Sequence, residues 1–241
     1  MSFFKAYDMR GVFGTDFDLD TVYRIGRWLP VLLGTCRMLV GRDIRLTSAD
    51  MRDALCRGLT ESGCSVDDMG LATTPMVYFF TAREGYGASV QITASHNPAG
   101  HNGMKVSRAG AVPVGYDTGL CELEARVNSG TLPPVAAAAG VCRQISYRDA
   151  FVLWLKTYRA DLSDLKLAVD CSDGMAGLII RDVLGEGPAY INATPDGRFP
   201  HHSPNPLDAE SRMQLTEVVK ARGLDAGVIF DGDADRVMFL D

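Results

Sequence analysis

Short apolar runs alternate along this chain with longer stretches in which apolar residues return every three or four positions. The segments "RMLVGRD" and "KLAVD" have the length of buried strands ended by turns, and "AGVIF" and "VMFLD" form a second such pair near the C-terminus. In "ASVQITAS", Val90 and Ile92 alternate with Gln91 and Thr93, the period of a strand, and Asn97-Pro98 forbids its continuation. From Ser48, the expected N-cap, "SADMRDALCRGLTESG" sets Met51, Leu55 and Leu59 on one helical face and stops at Gly63. Two further helical patterns, "SYRDAFVLWLKTYRADL" and "LIIRDVL", flank the strand "KLAVD" and its turn "CSDGMAG". Strands that alternate with helices predict an α/β class. The stretch "GTLPPVAAAAG", residues 130–140, joins Pro-Pro to a small-residue run and predicts a break between two units, expected at 1–144 and 145–241. No fixed-period repeat is present.

Composition narrows the class. A chain of 241 residues, 46% hydrophobic and 22% charged, can bury a sizeable core as one large domain or two smaller ones. Its net charge of -6 offers no broad basic footprint for nucleic acid or an acidic membrane surface, so neither is expected as a partner. The run "WLPVLLG" falls far short of the roughly 20 residues a membrane span needs, and "MSFFKAYDMR" lacks a signal-like apolar stretch; a cytoplasmic location is the expectation. Six cysteines without a C-x-x-C pair indicate neither a zinc site nor a disulfide framework.

The candidate chemistry lies in two loops. "QITASHNPAGHNGMK", residues 91–105, puts Ser95 at the end of a strand, where ligands bind in open α/β sheets, with His96 and Lys105 close by in sequence. The G-x-S-x-G elbow of a serine hydrolase is absent, and a plain hydrogen-bonded turn is the competing reading. "DGDADR", residues 231–236, crowds Asp231, Asp233 and Asp235 onto one connection between apolar runs. Carboxylates so placed repel unless a cation sits among them, and hard oxygen donors suit Mg²⁺ or Ca²⁺. An EF-hand is excluded because Arg236 replaces the sixth-position Gly and a strand precedes the loop; a solvated acidic turn stays open. A phosphate on Ser95 would add about -1.5 to -2 charges, which the cation, Arg236 and Lys105 could balance. His201 and His202 are neighbours on an extended segment and read as structural, as does the turn "CSDGMAG". Arg42, Asp43 and Arg45 read as a polar network behind the serine loop.

With these residues in view, the chain resembles the α-D-phosphohexomutases, most closely the phosphomannomutase/phosphoglucomutase branch. The resemblance rests on "FKAYDMRG" (4–11), "GRDIRLTS" (41–48), "TASHNP" with "NGMK" (93–105), "PDGRFPHHSPNPL" (195–207) and "DGDADR" (231–236), in that order. It implies two packed α/β domains with mixed sheets flanked by helices, similar to domains 1 and 2 of a four-domain fold. It further implies an enzyme that interconverts hexose 1- and 6-phosphates of mannose or glucose through a phosphoserine and a bisphosphate. By this match Ser95 carries the phosphoryl group and, with Asp231, Asp233 and Asp235, holds Mg²⁺, with Arg236 beside them. Lys105 becomes the candidate general acid/base, provided its pKa falls from the usual value near 10.4, and His96 is the second candidate. Tyr7, Arg10 and Asn97 are expected at the phosphosugar, and a hexose 1,6-bisphosphate is the expected phosphorylating activator. Ser95 and the three aspartates should face one another across an open cleft. The family's sugar-reading and distal-phosphate domains have no counterpart here, so the expected partners include a missing C-terminal half. The alternative is a free-standing half that binds metal, phosphate or a partner without turnover.

Overall fold

The computed structural model describes residues 3–241. Two sheets organise them. The first contains β1 (Met9–Val12), β2 (Arg37–Arg42), β3 (Ser65–Leu71), β4 (Ala88–Ile92), β5 (His101–Arg108), β6 (Val112–Pro113) and β7 (Cys142–Gln144), in the order β1-β5-β4-β2-β3-β7 with β6 beside β5. The second contains β8 (Leu167–Asp170), β9 (Ala189–Ile191), β10 (Ala226–Phe230) and β11 (Val237–Leu240), in the order β11-β10-β8-β9. Both are mixed: β2, β3, β4 and β7 run parallel, as do β8, β9 and β10, while β1, β5 and β11 pair antiparallel. The helices are α1 (Leu19–Leu33), α2 (Ser48–Glu61), α3 (Thr74–Arg83), α4 (Leu120–Asn128), α5 (Arg148–Lys156), α6 (Ile180–Leu184) and α7 (Ala209–Arg222). None of the described helices is long and apolar enough to cross a membrane.

The strand period sorts residues of the first sheet between two cores. Met38 and Val40 of β2 join Val22, Ile25, Met51, Leu55 and Leu59 of α1 and α2 on one face, whereas Leu39 faces Val77 and Phe80 of α3 on the other. Interior strands are therefore buried on both sides, and the polar members of β4 follow: Gln91 is fully buried and donates from Nε2 to the Ala72 carbonyl at 2.9 Å. Helix α2 begins one residue earlier than its sequence suggests. Thr47 occupies the N-cap, and Ser48, fully buried, donates its hydroxyl to Asp43 at 2.6 Å instead of capping. Gly63 follows the helix in the left-handed region at φ 79°, as expected of a C′ residue.

The connection 130–140 is irregular, yet the chain after it returns to the first sheet as β7, parallel to β3. Helix α5, expected to open the second unit, has two allegiances. Its Phe151 and Trp154 pack on Phe79 of α3, and the same apolar cluster takes in Val183 of α6. One core is thus shared between helices belonging to both sheets.

A charged tie secures β7. Asp67 on β3 is 4% exposed and accepts from Tyr86 Oη at 2.7 Å, from Arg37 at 3.1 Å and from Arg143 of β7. The Arg143 guanidinium, then Tyr86 and Arg37, hold its carboxyl at about 2. A folded-state pKa below the unfolded value near 3.9 means that this stabilisation is complete above about pH 4 and fades as the pH falls toward 2. Asp67→Asn should therefore lower the melting temperature at pH 7, with a cost of about 1–3 kcal/mol, and flatten the dependence of stability on pH between 4 and 2. Thermal unfolding across that range checks it, and an unchanged midpoint at pH 7 would show that the tie does not hold β7.

Candidate functional site: a serine loop against a carboxylate loop

The site forms where the loop after β4 meets the loop after β10. Strand β4 ends at Ile92, Thr93 Oγ1 accepts from the Ser95 amide at 2.8 Å, and Ser95 itself takes a left-handed conformation at φ 51°. The loop is shaped from behind by Arg45, which is 2% exposed. Its guanidinium donates to the carbonyls of Ser95 (2.8 Å), Asn97 (2.6 Å), Pro98 (2.8 Å) and His101 (2.9 Å), and Asp43 anchors its Nε at 3.2 Å. Four carbonyls converging on one cation give an irregular segment a single geometry. Arg42 joins the same network by donating to the Asp43 carbonyl at 3.2 Å. These three residues lie behind the loop, as their sequence position suggests.

In the facing loop, Asp231 turns the backbone over itself: its Oδ1 accepts from the amides of Asp235 and Arg236, both at 3.1 Å. Ala234 completes the bend at φ 62°. The other oxygen, Oδ2, accepts from the Ser95 hydroxyl at 2.7 Å. Ser95, Asp231 and Asp233 are all fully buried. The expectation of an open cleft between serine and aspartates therefore fails, because the two loops are in direct contact. Gly232 makes this possible, since a Cβ there would stand 2.5 Å from the Ser95 carbonyl oxygen. Gly103 plays a comparable part on β5, where the backbone of Met9 and Arg10 on β1 lies too close for any side chain.

Lys105 reaches in from β5 and donates to Asp233 at 2.7 Å and to Asp235 at 2.5 Å. Burial alone would push its pKa down, but the charges of Asp233 and Asp235 more than reverse this, and the net shift is upward. This corrects the requirement for a lowered lysine pKa: the partners are anions rather than other cations. His96 moves the other way, held below its usual value first by burial and then by Arg236 and Arg10, and its Nδ1 is buried without a partner. A neutral imidazole results at pH 7. Arg236 is half-exposed, with Nε 4.0 Å from Asp235. Arg10 donates to the Asn97 side chain at 2.8 Å and to Asp8 at 2.5 Å, so these two expected substrate contacts are tied to each other. Tyr7 is 84% exposed at the surface. His201 and His202 pair instead with Asp173 (2.8 Å) and Asp170 (3.0 Å), which makes them structural.

The donor set fits a hard cation. One carboxylate oxygen from each of Asp231, Asp233 and Asp235 lies within 4.8 Å of the other two. Asp233 Oδ1 is buried with no hydrogen-bond partner, an arrangement that costs free energy unless a cation supplies the missing contact. Without one, Asp231 is pushed up, first by burial and then by the Asp233 and Asp235 charges. Thr74, which the sequence reading passed over, also contacts Asp233: its hydroxyl donates to Oδ2 at 2.5 Å and its amide to the Asp233 carbonyl at 3.1 Å. The only sequence trace of it is "TTPM", a helix-start pattern that says nothing about what the helix end faces.

The model of phosphoglucomutase/phosphomannomutase α/β/α domain I matches residues 1–133, and that of domain II matches residues 146–241. A phosphomannomutase of Salmonella montevideo is 41% identical over a 249-position alignment that covers 99% of this chain and 55% of that protein. A protein of Xanthomonas campestris described as phosphohexose mutases is 38% identical, with coverage of 99% and 54%. Among solved structures, a phosphoglucomutase/phosphomannomutase family protein from Burkholderia thailandensis superposes with a TM-score of 0.85 at 30% identity, covering 98% of this chain and 54% of that one. The chain spans about half the length of the curated relatives it matches. With both domain models in chain order and the fold shared along its length, the chain belongs to the phosphoglucomutase/phosphomannomutase family of α-D-phosphohexomutases.

Proposed function

We propose that these residues supply the phosphoryl-carrying and metal-holding part of a mutase that interconverts hexose 1- and 6-phosphates of mannose or glucose. The observation that carries the reading is the buried contact between Ser95 Oγ and Asp231 Oδ2 at 2.7 Å, made by two strained loops from different sheets. A phosphate on that oxygen would stand among three carboxylates, which only a cation can make tolerable. Ser95, Asp231, Asp233 and Asp235 would hold Mg²⁺, and the ion when bound would neutralise charge on the transferring phosphoryl oxygens.

In the forward half-reaction a sugar hydroxyl oxygen attacks the phosphorus of phosphoserine, the P–Oγ bond breaks, and a hexose bisphosphate forms. After the bisphosphate has turned over, its other phosphoryl group returns to Ser95 Oγ. His96, neutral at pH 7, can accept the hydroxyl proton in the first step; Lys105, protonated, can donate to the oxygen that loses phosphate and neutralise charge as it shifts. Arg236 stands beside the metal loop as a further cation. Arg10, Asn97 and Tyr7 line the approach for the phosphosugar, with the Arg10–Asn97 bond setting the orientation of both. A hexose 1,6-bisphosphate would load Ser95 with its first phosphate.

Three outcomes test this reading. Mg²⁺ should bind the folded chain, and more tightly once Ser95 is phosphorylated, because the phosphate adds an anionic oxygen. Calorimetry in which a triple Asp231→Asn, Asp233→Asn, Asp235→Asn variant retains wild-type affinity would place the metal elsewhere. Incubation with a hexose 1,6-bisphosphate should add one phosphate to Ser95 and none to Ser95→Ala; peptide mapping that finds the label on Ser48 or Ser172 would remove Ser95 from its role. A protein made of these 241 residues alone should interconvert hexose phosphates slowly or undetectably, because a mutase depends on contacts that position both the sugar and its distal phosphate. A coupled assay reading turnover comparable to that of the double-length relatives would show that such contacts are already present.

A further inference from the structure

We propose that Thr74 is a positioning residue of the metal centre: it fixes the Asp233 carboxylate so that one oxygen is held by the protein and the other is presented to the cation. The inference rests on the reading that the three aspartates hold a divalent ion, and it concerns a residue outside that ligand set.

The geometry is asymmetric. Asp233 Oδ2 receives two donors, the Thr74 hydroxyl at 2.5 Å and Lys105 Nζ at 2.7 Å, while Oδ1, equally buried, receives none. A carboxylate pinned by one oxygen cannot rotate without breaking both bonds, so its free oxygen keeps one direction. Thr74 and Asp233 are both fully buried, so water cannot substitute for the hydroxyl.

Thr74 also holds the backbone of its target. It opens α3, whose N-cap Thr73 accepts from the Met76 amide at 3.2 Å and whose next residue, Pro75, has no amide hydrogen. One amide of that first turn is left to bond outward, and it goes from Thr74 to the Asp233 carbonyl at 3.1 Å. The partial positive charge at the start of this ten-residue helix therefore faces an anionic residue. Lys105 is a poor substitute, because the same Nζ is shared with Asp235 at 2.5 Å and the ammonium carries no fixed direction on its four-carbon stem. Groups that orient a ligand without touching the metal typically tune affinity by about 10–100-fold.

The experiment is Mg²⁺ titration calorimetry on the 241-residue chain as wild type, Thr74→Val and Thr74→Ser, with melting temperatures taken with and without Mg²⁺. Thr74→Val should weaken Mg²⁺ by about 10–100-fold, and Thr74→Ser, which keeps the hydroxyl, should restore most of the loss. The Mg²⁺-dependent rise in melting temperature should shrink in the valine variant and recover in the serine one. Should valine prevent folding, Thr74→Ala removes the hydroxyl without added bulk and is read the same way. A purely structural residue would lower the metal-free melting temperature and leave the affinity of the folded chain unchanged; that result, or equal weakening in valine and serine variants, overturns the proposal. A folded wild type that binds no Mg²⁺ overturns the metal reading and this inference with it, whereas normal binding by wild type and valine alike removes this inference alone.

Discussion

Carboxylates withdrawn from water need a proton, a cation or a full set of donors, and two of the three at the end of β10 are completely buried. The second sheet cannot provide those donors. Apart from the loop's own amides, they arrive from the first sheet: the Ser95 hydroxyl from the end of β4, Lys105 from β5 and Thr74 from the start of α3. The charge problem of one sheet is solved by the other, so the site exists only where the two meet. The unpartnered Asp233 Oδ1 is what those donors leave unsatisfied.

Such a site requires that the sheets stay in register with one another. Several unrelated contacts provide for this. The aromatic cluster of Phe79, Phe151 and Trp154 shares a core with Val183, which ties α3 and α5 to α6. On the other side of the serine loop, Phe199, from the long connection before α7, sets its ring 5.0 Å from the Arg45 guanidinium. Arg45 in turn holds the four carbonyls of the serine loop. A segment following β9 thereby supports the loop following β4, and Ser95 is braced by residues attached to both sheets.

Backbone strain is concentrated at the same place. Ser95 and Ala234, on opposite sides of the contact, both take positive φ without being glycine, at a cost of about 1–3 kcal/mol each. Ser172 and Asp173 do so consecutively in the turn after β8, where Ser172 donates to the Phe230 carbonyl at 2.6 Å just ahead of the carboxylate loop. These conformations persist because buried hydrogen bonds on every side over-determine them. Their reward is geometric: the serine oxygen points out of its strand end toward the aspartates rather than back into the sheet.

Much of the local structure was legible in the chain. Strand and helix patterns at β2, α2, β4, β8 and β10 follow from the period of their apolar residues, because burial of one face is imposed locally by side-chain direction. The crowding of three aspartates signals a cation for an equally local reason, since like charges two residues apart repel wherever the loop lies. Distance contacts are another matter. Lys105 was expected to lose basicity and gains it instead, because the sign of its shift depends on which charges lie opposite, and Asp233 is 128 positions away in sequence. Helix α5 reads as the opening of a second unit but packs on α3 as well, since an amphipathic pattern shows that a face is buried without showing against what. Thr74 gave no signal beyond a helix start. Which residues carry oxygen, charge and a turn can be read along the chain; which of them meet cannot, because the energy of a buried charge is set by neighbours that folding brings within 3 Å.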